Sequence, residues 1–222
     1  MIRTRIPDAS DKEGGDEAAV RERILDAAFA AFMDRGYAAT SMLEIATRAR
    51  LSKRELYALV GNKREMLVAC ISERAKRLQV RAELPVPNDR EALSKLLTAF
   101  GMQVLREITD PAVVGVFRLA IAEALHAPEV GKTLDSLGRE TVRATLRRIM
   151  IRARASALLE GSAAELAAQF GDLLWGNLMV GLLLGVEERP TVREVAARSR
   201  EATKTFLHLH PPPHGAAKGR PR

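Results

Sequence analysis

Along this chain a Ser, Thr or Asn repeatedly stands three residues before a Glu, as in Ser41 and Glu44, Ser52 and Glu55, Asn62 and Glu65, Ser162 and Glu165, and Thr191 and Glu194. That spacing is the capping box, in which the first side chain accepts a backbone N–H of the opening turn and the Glu reaches back to the cap's own N–H. Each pair predicts a helix start, with the acid complementing the positive end of the helix dipole. Three more starts follow from Asn88–Asp89, Asp110–Pro111 and Ala127–Pro128, because Pro is tolerated in a first turn and Asp or Asn favours the cap. A first helix over residues 17–35, closed by Gly36, brings the expectation to nine. Almost every segment longer than ten residues has helical period, and no run alternates apolar and polar residues for the length of a strand. The fold class is therefore expected to be all-α.

The chain has 222 residues, 47% of them hydrophobic and 28% charged. That balance excludes collagen-like and wholly disordered chains and allows one large domain or two small ones. Cys70 is the lone cysteine, so neither an internal disulfide nor a Cys-rich zinc site can form, and a reducing compartment suits it. The first 19 residues are polar and hold five acids, unlike a signal peptide. The longest uncharged stretch of the apolar second half, 173–186, is fourteen residues, short of about 30 Å of hydrocarbon. The expectation is a cytoplasmic protein with no membrane partner.

The net charge of +7 is unevenly placed. Residues 20–80 hold twelve bases against seven acids, residues 81–210 seventeen against sixteen, and residues 211–222 three bases and no acid. A basic N-terminal segment beside a longer, near-neutral one suggests a nucleic-acid-binding module joined to something else, with ordinary surface charge as the alternative. The expected organisation is a disordered arm (1–18), a DNA-binding domain with a linker helix (19–83), a second helical domain (84–210) and a disordered basic tail (211–222).

Within residues 20–74, a first helix presents Ile24, Leu25, Ala28, Phe29 and Phe32 on one face, and a second, 42–49, presents Ile45, Ala46 and Ala49. The second ends at Arg50–Leu51 and Ser52 at once caps a third, which is the spacing of a helix-turn-helix. Braced this way, the start of the third helix can enter a major groove. Its first turn holds Lys53, Arg54 and Glu55. Arg or Lys suits guanine O6/N7 and Glu can accept from cytosine N4; alternatively they form a solvated helix end, with Glu55 only a cap.

The order Ile24-Leu-Asp-Ala-Ala-Phe29, Gly36-Tyr-Ala-Ala-Thr-Ser41, Ile45-Ala46, Leu51-Ser-Lys53, Leu56-Tyr57 and Asn62-Lys63 resembles the DNA-binding domain of the TetR/AcrR family of transcriptional regulators. The resemblance covers about a quarter of the chain strongly. The remainder is similar, more weakly, to that family's ligand-binding and dimerisation domain, with Phe117-Arg-Leu-Ala-Ile-Ala-Glu-Ala124 and Pro128-Glu129 similar to one AcrR-like subgroup. Position by position, it implies phosphate contacts from Thr40 or Ser41, from Tyr57 and from Lys63. Hydroxyls, Lys and helix N-termini are groups that hold phosphate oxygens without reading sequence; Tyr57 could instead be a core aromatic. Arg50 departs from the family, standing where Gly is usual, at a position that tends to need a positive φ; the turn is expected to be reshaped. Arg54, Glu55 and Ala58-Leu-Val60 also depart from common residues, so no operator sequence carries over.

For the second domain the resemblance implies a homodimer in which 163–185 and 192–208 form a four-helix bundle across a two-fold axis; an intrachain hairpin is the alternative. The 163–185 segment is apolar nearly all round and should be buried on most faces, while 192–208 sets Val195, Ala196, Ser199 and Thr203 opposite a charged side. A cavity for a mostly apolar small-molecule effector would lie among residues 89–185. Candidate walls are Phe100, Met102, Phe117, Ile121, Leu125, Trp175 and Met179, and candidate polar anchors Gln103, Glu123, His126 and Asn177; each could equally be core. The arginines from Arg139 to Arg154 wrap around their helix and read as solvated surface.

Nothing favours an enzyme: H-E-x-x-H, a glycine-rich phosphate loop and G-x-S-x-G are all missing from the sequence. No cofactor or metal is expected. Gly219-Arg220-Pro221 resembles the centre of a minor-groove hook, which keeps open a constitutive, ligand-independent architectural DNA binder beside the expected ligand-released repressor acting on double-stranded DNA.

Overall fold

A computed structural model describes residues 9–77 and 85–213. Among them are eleven α-helices and no strand: α1 Ala9–Arg35, α2 Met42–Ala49, α3 Lys53–Val60, α4 Lys63–Arg77, α5 Arg90–Ile108, α6 Pro111–Ala122, α7 Pro128–Leu134, α8 Glu140–Ala155, α9 Ala163–Trp175, α10 Leu178–Leu184 and α11 Val192–Leu209. The all-α expectation holds. Each of the five pairs named above marks a helix start, although the bonds differ. Ser52 and Thr191 form complete boxes with Glu55 and Glu194. Asn62 bonds reciprocally with the first turn of α4, its N–H donating to Glu65 and its Oδ1 accepting from Arg64 and Glu65. Ser162 opens α9 without a side-chain bond.

Two starts have no such signal, which is why eleven helices replace nine. The expected single helix over 163–185 breaks at Gly176, whose φ of 43° is left-handed, and α9 and α10 meet at a 50° bend. Between α7 and α8 the chain stays helical through one π turn, Asp135–Arg139. At the other end α1 begins at Ala9, before the expected residue 17. No single helix among the described residues is long and apolar enough to cross a membrane. The hook-like Gly219-Arg220-Pro221 lies outside the described residues.

Two compact units divide the chain, and the division is not sequential: residues through 73 combine with 119–131, and 74–118 with the rest. In the first unit Ile24, Leu25, Ala28 and Phe32 of α1 close on Ile45, Ala46 and Ala49 of α2 and on Leu56 of α3, all buried; Phe29 is only half-buried.

In the second unit α11 lies against α5 and α9, and α8 against α9, around Leu93, Leu97, Phe100, Ile149, Phe170, Leu174 and Phe206. A polar seam crosses this core. Ser199 Oγ donates to the Thr98 carbonyl at 2.7 Å and Thr98 Oγ1 meets Thr203 Oγ1 at 3.2 Å. The face of α11 with Val195, Ser199 and Thr203 is thus used within the chain, together with Ala202 and Phe206. The guanidinium of Arg90 gathers the carbonyls of Leu158, Leu207 and His210 at 2.6–2.9 Å, joining three chain segments at one point. Contrary to its all-round apolar pattern, the 163–185 segment is not buried on most faces, since Leu184 is 72% exposed and Val180 is exposed with it.

Candidate nucleic-acid interface

Helix α3 turns Leu56 and Val60 inward and leaves Lys53, Arg54, Tyr57 and Ala58 exposed. Positions three and four residues apart share a helix face, which sets Tyr57 beside both Lys53 and Arg54 and Ala58 beside Arg54, so the four form one outward arc. Ser52 fixes where that surface begins: its Oγ accepts the Glu55 N–H at 3.2 Å, and Glu55 Oε2 accepts the Ser52 N–H at 2.8 Å. The hydrogen bonds from the Ser52 hydroxyl and backbone hold the Glu55 carboxyl below the usual glutamate range. The cap reading of Glu55 is therefore realised, and its carboxylate is engaged by backbone. Lys53 Nζ stands 5.9 Å from the centre of the Tyr57 ring, within cation–π reach. Tyr57 is 43% exposed, which removes the core-aromatic alternative for it.

The turn before α3 was expected to be reshaped around Arg50, and it is not. Arg50 itself adopts the left-handed conformation, φ 55° and ψ 48°. The N–H of Leu51 returns to the Ala46 carbonyl at 3.0 Å, closing the helix end in a Schellman pattern. The arginine carries the strain that glycine would avoid.

Thr40 and Ser41 part company. Thr40 is 2% exposed and its hydroxyl donates to the carbonyls of Ala31 and Gly36 at 3.1 and 2.7 Å. That corrects the expectation of a phosphate contact from Thr40: its side chain anchors the α1–α2 turn. Ser41 is exposed at the start of α2, with Oγ accepting the Glu44 N–H at 3.1 Å and its own proton still to give.

Lys63, at the start of α4, is half-buried. Its ammonium donates to the Ala38 carbonyl at 3.0 Å and lies 4.6 Å from the centre of the Tyr37 ring. Burial pulls its pKa below the usual lysine value, and the charge of Glu123 pushes the other way. Glu123 is itself 6% exposed, and its Oε1 accepts the Ala38 N–H at 2.9 Å. Both backbone polar groups of Ala38 are thus held by side chains. Tyr37, packed on Phe32 with ring centres 5.4 Å apart, has its phenol raised by burial first, and then by the charge of Glu129.

The effector candidates divide between the units. Phe100 is core, and Met102, Trp175 and Met179 lie partly buried against the same core. Phe117 and Gln103 are half-buried, and Asn177 is exposed at the α9–α10 break. Ile121, Glu123, Leu125 and His126 belong instead to the first unit. Ile121 is 61% and Leu125 91% exposed, His126 is exposed, and Glu123 is bonded to Ala38; none of the four stands as a wall or anchor of a cavity in the second unit. Chain order assigned them there because the sequence carries no sign that 119–131 folds back on the first unit. In the arginine-rich helix, Asp135 and Glu140 pair with Arg139, Arg143 and Arg147, in keeping with a solvated surface.

The described geometry is matched by comparison with known proteins. Residues 24–70 match the family described as bacterial regulatory proteins, tetR family. Residues 95–210 match the C-terminal domain of the AefR-like transcriptional repressors. No curated protein is significantly similar to the chain. Among solved structures, the Flavonoid-responsive Regulator FrrA is 29% identical, with 89% of this chain and all of that one covered at a TM-score of 0.73. A TetR transcriptional regulator from Agrobacterium tumefaciens is 26% identical over 87% of this chain and 95% of its own, TM-score 0.71. A further TetR family regulator, from Pseudomonas syringae pv. tomato, is 26% identical over 86% and 96%, TM-score 0.66. With more than half of its length inside a family match and a helix-turn-helix at its N-terminus, this chain belongs to the TetR family of transcriptional regulators.

Proposed function

We propose that the protein is a cytoplasmic homodimeric repressor that binds a quasi-palindromic operator through α3 and leaves it when a small, mostly apolar effector binds. It acts as a binding protein and not as an enzyme. The observation that carries this reading is the outward face of α3, where Lys53, Arg54 and Tyr57 stand together on a short helix braced by α1 and α2. In this reading Lys53 and Arg54 read base edges. Ser41, Tyr57 and the remaining donors of Lys63 hold phosphates on either side. One such helix reads few base pairs; a two-fold dimer doubles the contact and matches half-sites one or more helical turns apart.

Dimerisation through 163–185 and 192–208 is supported by the exposed apolar side chains Val180, Leu184 and Val192, which a second copy would cover. Since FrrA is named for its response to flavonoids, that class is the first to try as effector. The test is selection of genomic fragments by the purified chain, light scattering of the complex, and titration of the bound DNA with quercetin and then with other flat apolar compounds. The proposal expects a dimer on an inverted repeat that such a compound displaces. A dimer that no compound displaces favours the architectural reading, and a chain with no sequence preference overturns both.

A further inference from the structure

We propose that Arg50, in the turn of the helix-turn-helix, is a further DNA-backbone contact, its guanidinium gripping a phosphate beside the groove that α3 enters. The inference rests on the DNA-binding reading of α3 and adds to it a residue at a position where glycine would be the more stable choice.

The closure of α2 requires the conformation of Arg50 and makes no use of its side chain. With φ 55° and ψ 48° the residue lies in the left-handed region, where a Cβ is unfavourable and glycine is at home. Backbone groups complete the closure: the Arg50 N–H reaches the carbonyls of Ala46 and Thr47, and the Leu51 N–H returns to Ala46 at 3.0 Å. The Ala49 carbonyl accepts from Arg23 Nε at 3.2 Å. The terminal carbonyls that a guanidinium could have capped are therefore largely satisfied without it. Ala157 closes α8 in the same left-handed region, φ 53°, with only a methyl group, and the Leu158 N–H returns to the Ala153 carbonyl at 2.9 Å. Closure of this kind needs no guanidinium.

Nor is the charge of Arg50 neutralised by an acid. Other arginines around α2 are so paired: Arg48 with Asp34 at 2.7 Å and with Glu44 at 3.1 Å, and Arg35 with Glu44 at 3.2 Å. Arg50 is exposed, and its side chain has no hydrogen bond or ion pair among the described residues. Glu55, the nearest acid in sequence, has its carboxylate on the Ser52 N–H. Arg50 stands two residues before the Ser52 cap, at most about 7 Å of extended chain. A helix start lying in a major groove about 12 Å wide has the phosphates of a strand on either side. An exposed guanidinium this close to that start meets phosphate oxygens, which its planar fork holds in bidentate fashion. Such a contact fixes register without reading sequence. Stability and DNA affinity thus pull in opposite directions at one residue.

The test is fluorescence anisotropy of the full-length protein across a salt series, on a fragment recovered by genomic selection and on random duplex DNA, with a thermal melt of each variant. Arg50→Gly is expected to bind both DNAs about three- to tenfold more weakly, to lower the salt slope by about one, and to melt no lower than wild type. Arg50→Asn, which also tolerates the left-handed region, should do the same, whereas Arg50→Lys, which keeps the charge, should retain the wild-type slope. Unchanged affinity and slope in both uncharged variants overturn the proposal. So does a loss confined to the selected fragment, which would make Arg50 a reader of bases. A slope lowered equally by Arg50→Lys overturns it too, since the effect would then belong to the turn and not to the charge. If Arg50→Gly melts lower, the slope of Arg50→Asn decides. A wild-type chain with no salt-dependent affinity for either DNA overturns the DNA-binding reading itself, and a binder whose slope is indifferent to residue 50 overturns only the phosphate contact.

Discussion

Lys63 donates to the carbonyl of Ala38 at 3.0 Å, so a residue expected to grip phosphate already grips the protein's own backbone. An ammonium has three donors, and the two others remain for DNA. Lys63→Ala should therefore weaken binding to cognate and random DNA alike, lower the salt slope by about one, and also lower the melting temperature. Fluorescence anisotropy across a salt series, beside a thermal melt, measures all three. Loss of affinity with an unchanged melt would show that the Ala38 bond contributes nothing.

Arg50 offers an opposite kind of change. A non-glycine residue in the left-handed region costs about 1–2 kcal/mol, partly offset by the greater freedom of glycine in the unfolded chain. Arg50→Gly is expected to stabilise the protein by about 0.5–1 kcal/mol in urea unfolding with the helix-turn-helix geometry kept. Destabilisation would mean that the arginine side chain makes a compensating interaction.

Gly101 is where α5 meets α11. A Cβ there would overlap Ser199 Oγ and come within 2.9 Å of Leu174 Cδ1. Overpacking of a buried site costs about 1–3 kcal/mol, more than the helix propensity that Ala brings. Gly101→Ala should lower stability in denaturant titration, and by less when Ser199→Ala removes the obstructing hydroxyl. Equal costs in both backgrounds would contradict the close approach.

His210 packs on Phe206 with ring centres 4.7 Å apart, and burial first, then the charge of Arg90, lower its pKa from the ordinary 6.5. The unfolded chain then takes up the proton before the folded one, so stability should fall as pH drops through 6.5 toward the lowered value and change little above it from this group. Melting temperatures between pH 8 and 5, compared with those of His210→Gln, isolate the contribution. An identical slope in the variant would assign the effect elsewhere.

The helices were legible because their starts are written locally: a cap and a Glu three residues on act within one turn, and all five pairs mark starts. The missed breaks at Gly176 and at the π turn have no such side-chain signature, and the pattern on either side is continuous. On α3, the place of Lys53 and Arg54 followed from the Ser52 cap, whereas Tyr57 stood open between surface and core until its exposure decided it. Thr40 misled because its neighbour Ser41 has the same chemistry, and only burial separates them. Glu123 was placed in the wrong unit because its partner Ala38 is 85 residues away, and a single long-range hydrogen bond leaves no periodicity to read.

The most direct test of the central claim, that α3 reads DNA sequence, is the affinity of wild-type protein and Arg54→Ala for a selected genomic fragment and for random DNA at one salt concentration. The account predicts that the selected fragment contains an inverted repeat and that Arg54→Ala costs about 1–3 kcal/mol on it while leaving random DNA nearly unchanged. Equal losses on both DNAs, or no preference for any fragment by the wild-type chain, would contradict it.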